Sequence, residues 1–273
     1  GATTLNSGSA DLTLDQSAST FGTLAITGAN VAVTENAAMD LGASTISGTA
    51  SFNSTSNAIT DSGTLAITGA TTINSGSADL TLDDAASTFG ALAITGANVA
   101  VTENAAMDLG ASTISGTASF NSTSNAITDS GTLAITGATT LNSGSADLTL
   151  DQSASTFGTF AITGANVAVT ENAAMDLGAS TISGTASFNS TSNAITDSGT
   201  LAITGATTLN SGSADITLNE AASTFGTLAI TGTNVAVTEN AAMDLGASTI
   251  SGTASFNSSN NAITDSGTLA ITG

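Results

Sequence analysis

Gly22-Thr-Leu-Ala-Ile-Thr-Gly28 returns word for word at Gly63-Thr-Leu-Ala-Ile-Thr-Gly69, with a weaker echo, Ser44-Thr-Ile-Ser-Gly48, between them. Leu and Ile alternate with small or hydroxylated residues and glycine closes each phrase, which is a short strand with its turn rather than a helix. Outward from this phrase, Gly1, Gly69, Gly137 and Gly205 each open a nearly identical 68-residue unit, and Gly273 opens a fifth. A repeat of this length governs every later inference, because missing a period misreads the whole fold.

Aligning Ile26, Ile46 and Ile67 divides the unit into Leu24–Ala43, Ser44–Thr64 and Leu65–Ala91. Each part holds three short apolar runs. In the first these are the quoted phrase, Asn30-Val-Ala-Val33 and Met39-Asp-Leu41; Gly, Asn, Asp and Ser supply turn chemistry between them. Three strands in so few residues match one coil of a stack in which each strand pairs with its equivalent in the next coil. The expected fold is therefore all-β, a parallel β-solenoid with about three coils per repeat. It is one continuous array of repeats 1–68, 69–136, 137–204 and 205–272 plus the first residue of another, about twelve coils and about 58 Å long at strand spacing. The rival, four separate 68-residue sandwiches, leaves the threefold echo unexplained and gives each domain a thin core without Trp, Tyr, Cys or Pro.

Differences among the four units sort by chemistry. Leu5, Leu12 and Leu24 change only to Ile73, Ile216 and Phe160, so these positions read as core. Asp15-Gln16-Ser17 becomes Asp83-Asp84-Ala85 and Asn219-Glu220-Ala221, and Thr55-Ser56 becomes Ser259-Asn260, so these read as exposed corners. No unit gains or loses a residue, consistent with a stack in which one extra residue would turn side chains to the wrong face.

Composition excludes much. The chain has no Lys, Arg, His, Pro, Cys, Trp or Tyr and carries a formal charge of −21. Without cations it cannot neutralise phosphates, so nucleic acid and anionic membrane surfaces are not expected partners. No apolar stretch is long enough for membrane insertion. Imidazole, thiolate and amine chemistry are absent, which leaves hydroxyls and carboxylates. Nearly every acid recurs from unit to unit and no sugar-stacking Trp or Tyr exists, so no enzyme is expected.

Among possible sites, Asp40, Asp61 and Asp83 fall at nearly the same place in successive coils. Stacked at one corner they would repel unless a cation bridged them, so these residues and Asn57, with their repeat equivalents, are the candidate ligands for Ca2+ among the hard, oxygen-bound cations; no cofactor is expected to be required. Glu35, Glu103, Glu171 and Glu239 are expected to be solvated surface charges about 14 Å apart. Asn53-Ser54-Thr55 fits the N-glycosylation pattern but also fits a turn. Ala25-x-Thr27, Thr45-x-Ser47 and Ala66-x-Thr68 would form an outward row of small and hydroxylated side chains, either a plain strand surface or an ice-binding face.

Gly-bounded coils such as Gly22–Gly28, with Asn and Asp at the corners and multiplied in tandem, resemble the repetitive β-helical stalks of large bacterial surface adhesins of the filamentous-haemagglutinin and autotransporter-passenger kind. The resemblance implies an extracellular location, at the cell surface or in a filament, and a structural, non-catalytic role as rod, fibre or adhesin stalk. Partners would be further copies of the chain, end to end or side by side, and cell-surface or matrix components. The alternative is a repetitive binding surface, ice-facing or adhesive through divalent cations. So dense a line of negative charge should condense cations, and bundling of such rods should depend on divalent ions.

Overall fold

The computed structural model describes residues 1–273 and contains only strands. Two compact units are resolved, Gly1–Gly137 and Ala138–Gly273. Each is a parallel β-solenoid of short strands in which strand pairs are parallel and successive coils lie directly upon one another. The expected core residues Leu24, Ile26, Val31, Val33, Met39 and Leu41 are all buried, and the substituted positions Ile73, Phe160 and Ile216 are buried too.

Each coil has two sides, because the chain alternates between two facing sheets. In the first unit, Thr23–Gly28 lies in one sheet and Val31–Thr34 in the other. The chain then returns through Met39–Leu41 and Ser44–Ile46, crosses to Ala50–Asn53, returns through Ile59–Asp61 and Leu65–Ile67, crosses to Thr71–Asn74, and returns at Leu80–Leu82. These are seven half-coils. An odd number has a geometric consequence: Ala91–Gly96, the equivalent of Thr23–Gly28, falls in the opposite sheet. Likewise Val31–Thr34 and Val99–Thr102 face opposite ways in the first unit, as do Val167–Thr170 and Val235–Thr238 in the second. The repeat thus contains about three coils, resolved by the pairing as three and a half.

The alignment of Ile26 with Ile46 is not the one the structure adopts. Ile46 does pair with Ile67, but its partner in the preceding coil is Gly28, and Thr27 pairs with Thr45. The reason is a mismatch of shape. The straight strand Thr23–Gly28 lies against two short strands bent at Gly42 and Ala43, so the ladder breaks in the middle. At the break, the Ile26 N–H donates to the buried Ser44 hydroxyl at 2.9 Å, and that hydroxyl donates to the Gly42 carbonyl. Ser87 accepts the Leu65 N–H in the same manner. A buried hydroxyl here does the work of a missing ladder bond, since an unpaired interior N–H costs about 1–3 kcal/mol.

Inward columns mix large and small side chains, for example Met39, Ile59, Leu80, Val99 and Ala118 through successive coils. The outward column beside it reads Asp40, Thr60, Thr81, Ala100 and Ser119. This alternation is the period of two that separates core from surface in a strand.

One corner carries backbone strain. Thr123 and Ser124 both have positive φ, 47° and 75°, in a turn closed by the Asn125 N–H donating to the Ser122 carbonyl at 3.1 Å. Thr123 is retained there for its hydroxyl, which donates to the Glu103 carbonyl and to Asn104 Oδ1. Ser124 is exposed, and the fourth repeat places Asn260 at its equivalent, a residue that tolerates the left-handed region better. Ser124→Asn is expected to stabilise the chain by about 0.5–1 kcal/mol. Urea unfolding midpoints check this, and a lower midpoint would count against strain at the turn.

Candidate functional site

The acids are the only strongly polar chemistry in the chain, and the structure divides them into three kinds of place. The first is an exposed corner ladder. Asp11 Oδ1 accepts both the N–H and the side-chain amide of Asn30, and Asn30 Oδ1 accepts the N–H and hydroxyl of Thr49 in the following coil, all at 2.9–3.1 Å. Asp79, Asn98 and Thr117 repeat the arrangement. Side chains here continue the coil-to-coil bonding where the backbone turns away from its ladder.

The second place holds the candidate cation ligands, and they do not form one stack. Asp40 pairs with Thr60, while Asp61 pairs with Leu41. Each acid is displaced by one residue from the last, and one residue turns a strand side chain to the other side. Asp40 accepts the hydroxyls of Thr23 and Ser62, at 2.6 and 3.0 Å. Asp61 accepts the N–H groups of Asp83 and Asp84, at 2.9 and 3.3 Å; burial pushes its carboxyl up, those two N–H groups hold it down, and the neighbouring acids raise it. Asp83 is exposed, and the Asn57 amide donates to the Ser54 carbonyl within its own turn. Asp176 and Asp244 repeat the hydroxyl contacts of Asp40, and Asp197 repeats the N–H contacts of Asp61. Oδ2 of Asp40, Asp176 and Asp244 and both oxygens of Asp61 and Asp197 are turned to donors of the fold, Asp108 Oδ1 is buried without a partner, and no group of three acids that could hold an ion is present. Unfolding of the chain is therefore expected at the same temperature in excess chelator and in millimolar Ca2+; a rise in Ca2+ of more than a few degrees would restore a structural ion.

The third place overturns an expectation. Glu35, Glu103, Glu171 and Glu239 are not solvated charges; all four are fully buried. The alternation Val99-x-Val101 continues one step further and carries Glu103 inward. Its Oε2 accepts the Phe89 N–H at 2.9 Å, and its Oε1, also buried, has no partner. The same pair of facts holds for Glu35 with Phe21, Glu171 with Phe157 and Glu239 with Phe225. Loss of water around the carboxyl, opposed only by that N–H, pushes Glu103 and Glu171 up to about 8 and Glu239 to about 7, with Glu35 moved the same way. The signal was present in the sequence, as Glu at the third place of a Val-x-Val-x-Glu alternation.

The outward row also changes register. Thr27, Thr45, Ala66 and Thr88 lie in one column through successive coils, so Thr27 rather than Ala25 stands beside Thr45. No pocket opens in either unit.

A family profile described as repeats of unknown function (DUF5649) matches four consecutive segments, residues 28–95, 96–163, 164–231 and 232–273. The chain belongs to the DUF5649 repeat family. The period of the DUF5649 repeat is the one read from the glycines, and its phase begins at Gly28, where Thr23–Gly28 ends. In this phase each repeat of the chain still contains an odd number of half-coils, so successive repeats within a unit place their equivalent strands on opposite sheets. No curated protein and no solved structure matches the chain.

Proposed function

We propose that this DUF5649 array is a structural, non-catalytic solenoid exposed outside the cell, serving as a segment of a filament, fibre or adhesin stalk of the filamentous-haemagglutinin kind. The observation that carries the reading is the odd number of half-coils. It gives both sheets of each unit the same set of outward strands, so lateral contacts of one chemistry are available on two sides. A catalytic centre would be expected as a singular constellation in a cleft, whereas here the notable side chains recur from repeat to repeat and no pocket opens around them. Partners in this reading are further copies of the chain, with divalent cations between their exposed acids, and cell-surface or matrix components.

Oriented fibres drawn from the purified chain in Ca2+ should give an axial reflection near 4.8 Å, the coil spacing. Antibody raised to the chain should label intact source cells. A monomer that stays dispersed at high concentration in Ca2+ and turns over a glycan or ester would overturn the reading.

A second reading rests on the hydroxyl-bearing column Thr27, Thr45, Ala66 and Thr88, an uncharged regular surface suited to ordered water. Inhibition of ice recrystallisation by the purified chain would support an ice-facing role, and its absence at micromolar concentration would remove it.

A further inference from the structure

The buried glutamates are a different feature from the outward surfaces and belong to neither reading above. Four carboxyl groups are fully buried, each holds a single backbone N–H, and each leaves one oxygen without a partner. An ionised carboxylate in such a place needs a counter-charge or several donors. The chain has no Lys, Arg or His anywhere to supply one. The titratable groups on the segments packed about Glu103 are Asp83 and Asp84 in the corner before it and Asp108 in the strand after it; the turn Ser122–Asn125 has none. For Glu35 they are Asp15 and Asp40, for Glu171 Asp151 and Asp176, and for Glu239 Glu220 and Asp244. All are acids, and a negative neighbour can only oppose ionisation.

We propose that Glu35, Glu103, Glu171 and Glu239 are proton latches: each is held as a neutral carboxylic acid that ties its own coil to the corner before it, and loss of the proton loosens that corner. The latch joins two segments far apart in sequence. The Glu103 side chain holds the Phe89 N–H of the corner 83–90, its backbone N–H donates to the Asn121 carbonyl of the next coil, and the Asn104 N–H donates to the Ser87 carbonyl. The Phe89 N–H holds a charged carboxylate more tightly than a neutral one, but one donor does not replace the lost hydration, so a charged Glu103 must draw water to its bare Oε1 or leave the corner, and either movement opens the packing there.

The sign of the pH dependence follows from the direction of the shift. The unfolded chain releases these protons near the ordinary value of 4.5, whereas the folded chain keeps those of Glu103, Glu171 and Glu239 to about 7 or 8 and that of Glu35 above the ordinary value. Unfolding between those limits therefore releases protons, so the stabilisation is complete below 4.5, declines as pH rises, and is gone above the folded value. Over the middle of that window, opening of a single latched corner should become about tenfold more favourable per pH unit. The latch makes the repeat a structure favoured by acid, in contrast to proteins whose carboxylates are paired.

The deciding measurement is a titration of the whole chain with 13C-labelled Glu carboxyl groups followed by NMR. The resonances of Glu103, Glu171 and Glu239 should have midpoints above pH 6, and that of Glu35 should lie above the ordinary value; midpoints below 6 for the first three overturn the proposal. A second measurement counts protons released on unfolding at pH 6, by calorimetry in buffers of different ionisation enthalpy. The wild-type chain should release at least two more protons than the variant E35Q/E103Q/E171Q/E239Q, in which the amide keeps the acceptor for the Phe N–H without a titrating group. An equal count in the two proteins overturns it. If the fourfold variant does not fold, the single variant E103Q serves. Exchange protection of Phe89 and Asn104 should fall about tenfold per pH unit between 5 and 7 in wild type, after correction for intrinsic exchange, and be flat in E103Q. A fall of the same size in both chains overturns the latch.

Discussion

Insertion of one alanine between Ala100 and Val101 is expected to destabilise the first unit by about 4 kcal/mol or more, whereas the same insertion between Ala85 and Ala86 should cost under about 1 kcal/mol. In the strand Val99–Thr102, Val101 is inward and almost fully buried, stacked between Leu82 and Phe120 of the neighbouring coils. One extra residue reverses the phase from that point. Val101 would turn outward, losing about 1.5–3 kcal/mol of burial. Thr102 would turn inward and bury a hydroxyl at about 1–3 kcal/mol. Glu103 would swing to solvent and leave the Phe89 N–H without its acceptor, at a further 1–3 kcal/mol. Ala85 and Ala86 lie in an exposed corner outside any strand, where an additional residue bulges into water. Urea unfolding and native-state amide exchange distinguish the two. Equal losses for both insertions would show that register is not what the equal repeat lengths protect.

That same register explains which parts of the fold could be read beforehand. Strand identity, coil stacking and the core residues follow from apolar alternation and from which substitutions occur among repeats, so Leu24, Ile26, Val31 and Met39 read as interior and are buried. The phase between coils was not legible, because Ile26, Ile46 and Ile67 look alike while the pairing depends on where the chain bends. A bend at Gly42 and Ala43 moves Ile46 two places along, against Gly28. The side of the solenoid was not legible for a related reason. Leu65–Ile67 and Leu80–Leu82 share one sheet with Thr71–Asn74 in the other between them, and all three share one apolar pattern. Only hydrogen bonding assigns them. Of the acids, Asp40, Asp61 and Asp83 were recognised as neighbours in successive coils, but a drift of one residue per coil separates them. The charge of Glu35 argues for solvent, while its position in the alternation with Val31 and Val33 points inward, and the alternation prevails.

The coil corners impose an equally strong constraint at Gly69. Its N–H donates to the Gly48 carbonyl at 2.9 Å, and a Cβ added to Gly69 would stand 2.5 Å from that oxygen and 2.6 Å from the Gly48 carbonyl carbon. A Cβ on Gly90 would meet the Gly69 oxygen at 2.4 Å, so three successive coils touch backbone to backbone at this edge. The obstructing atoms are main chain and cannot rotate away. Gly69→Ala must therefore push one coil off the next, stretching the bond to Gly48 and the adjacent pairing of Thr71–Asn74 with Ala50–Asn53, which carries the buried pair Ile73 and Phe52. The expected loss is about 3 kcal/mol, at the upper end of overpacking costs because backbone rather than side chain must yield. Gly205 repeats the geometry in the second unit, with Gly184 and Gly226, so Gly205→Ala should cost the same there. Ala70→Ser, at the exposed next position, should change stability by less than about 0.5 kcal/mol. The sites share no partner, so the Gly69→Ala and Gly205→Ala losses should add within about 0.5 kcal/mol. A loss under 1 kcal/mol for Gly69→Ala would show that neighbouring coils can part at their narrow edge without disturbing the core, and the contact would then reflect only the smallness of glycine.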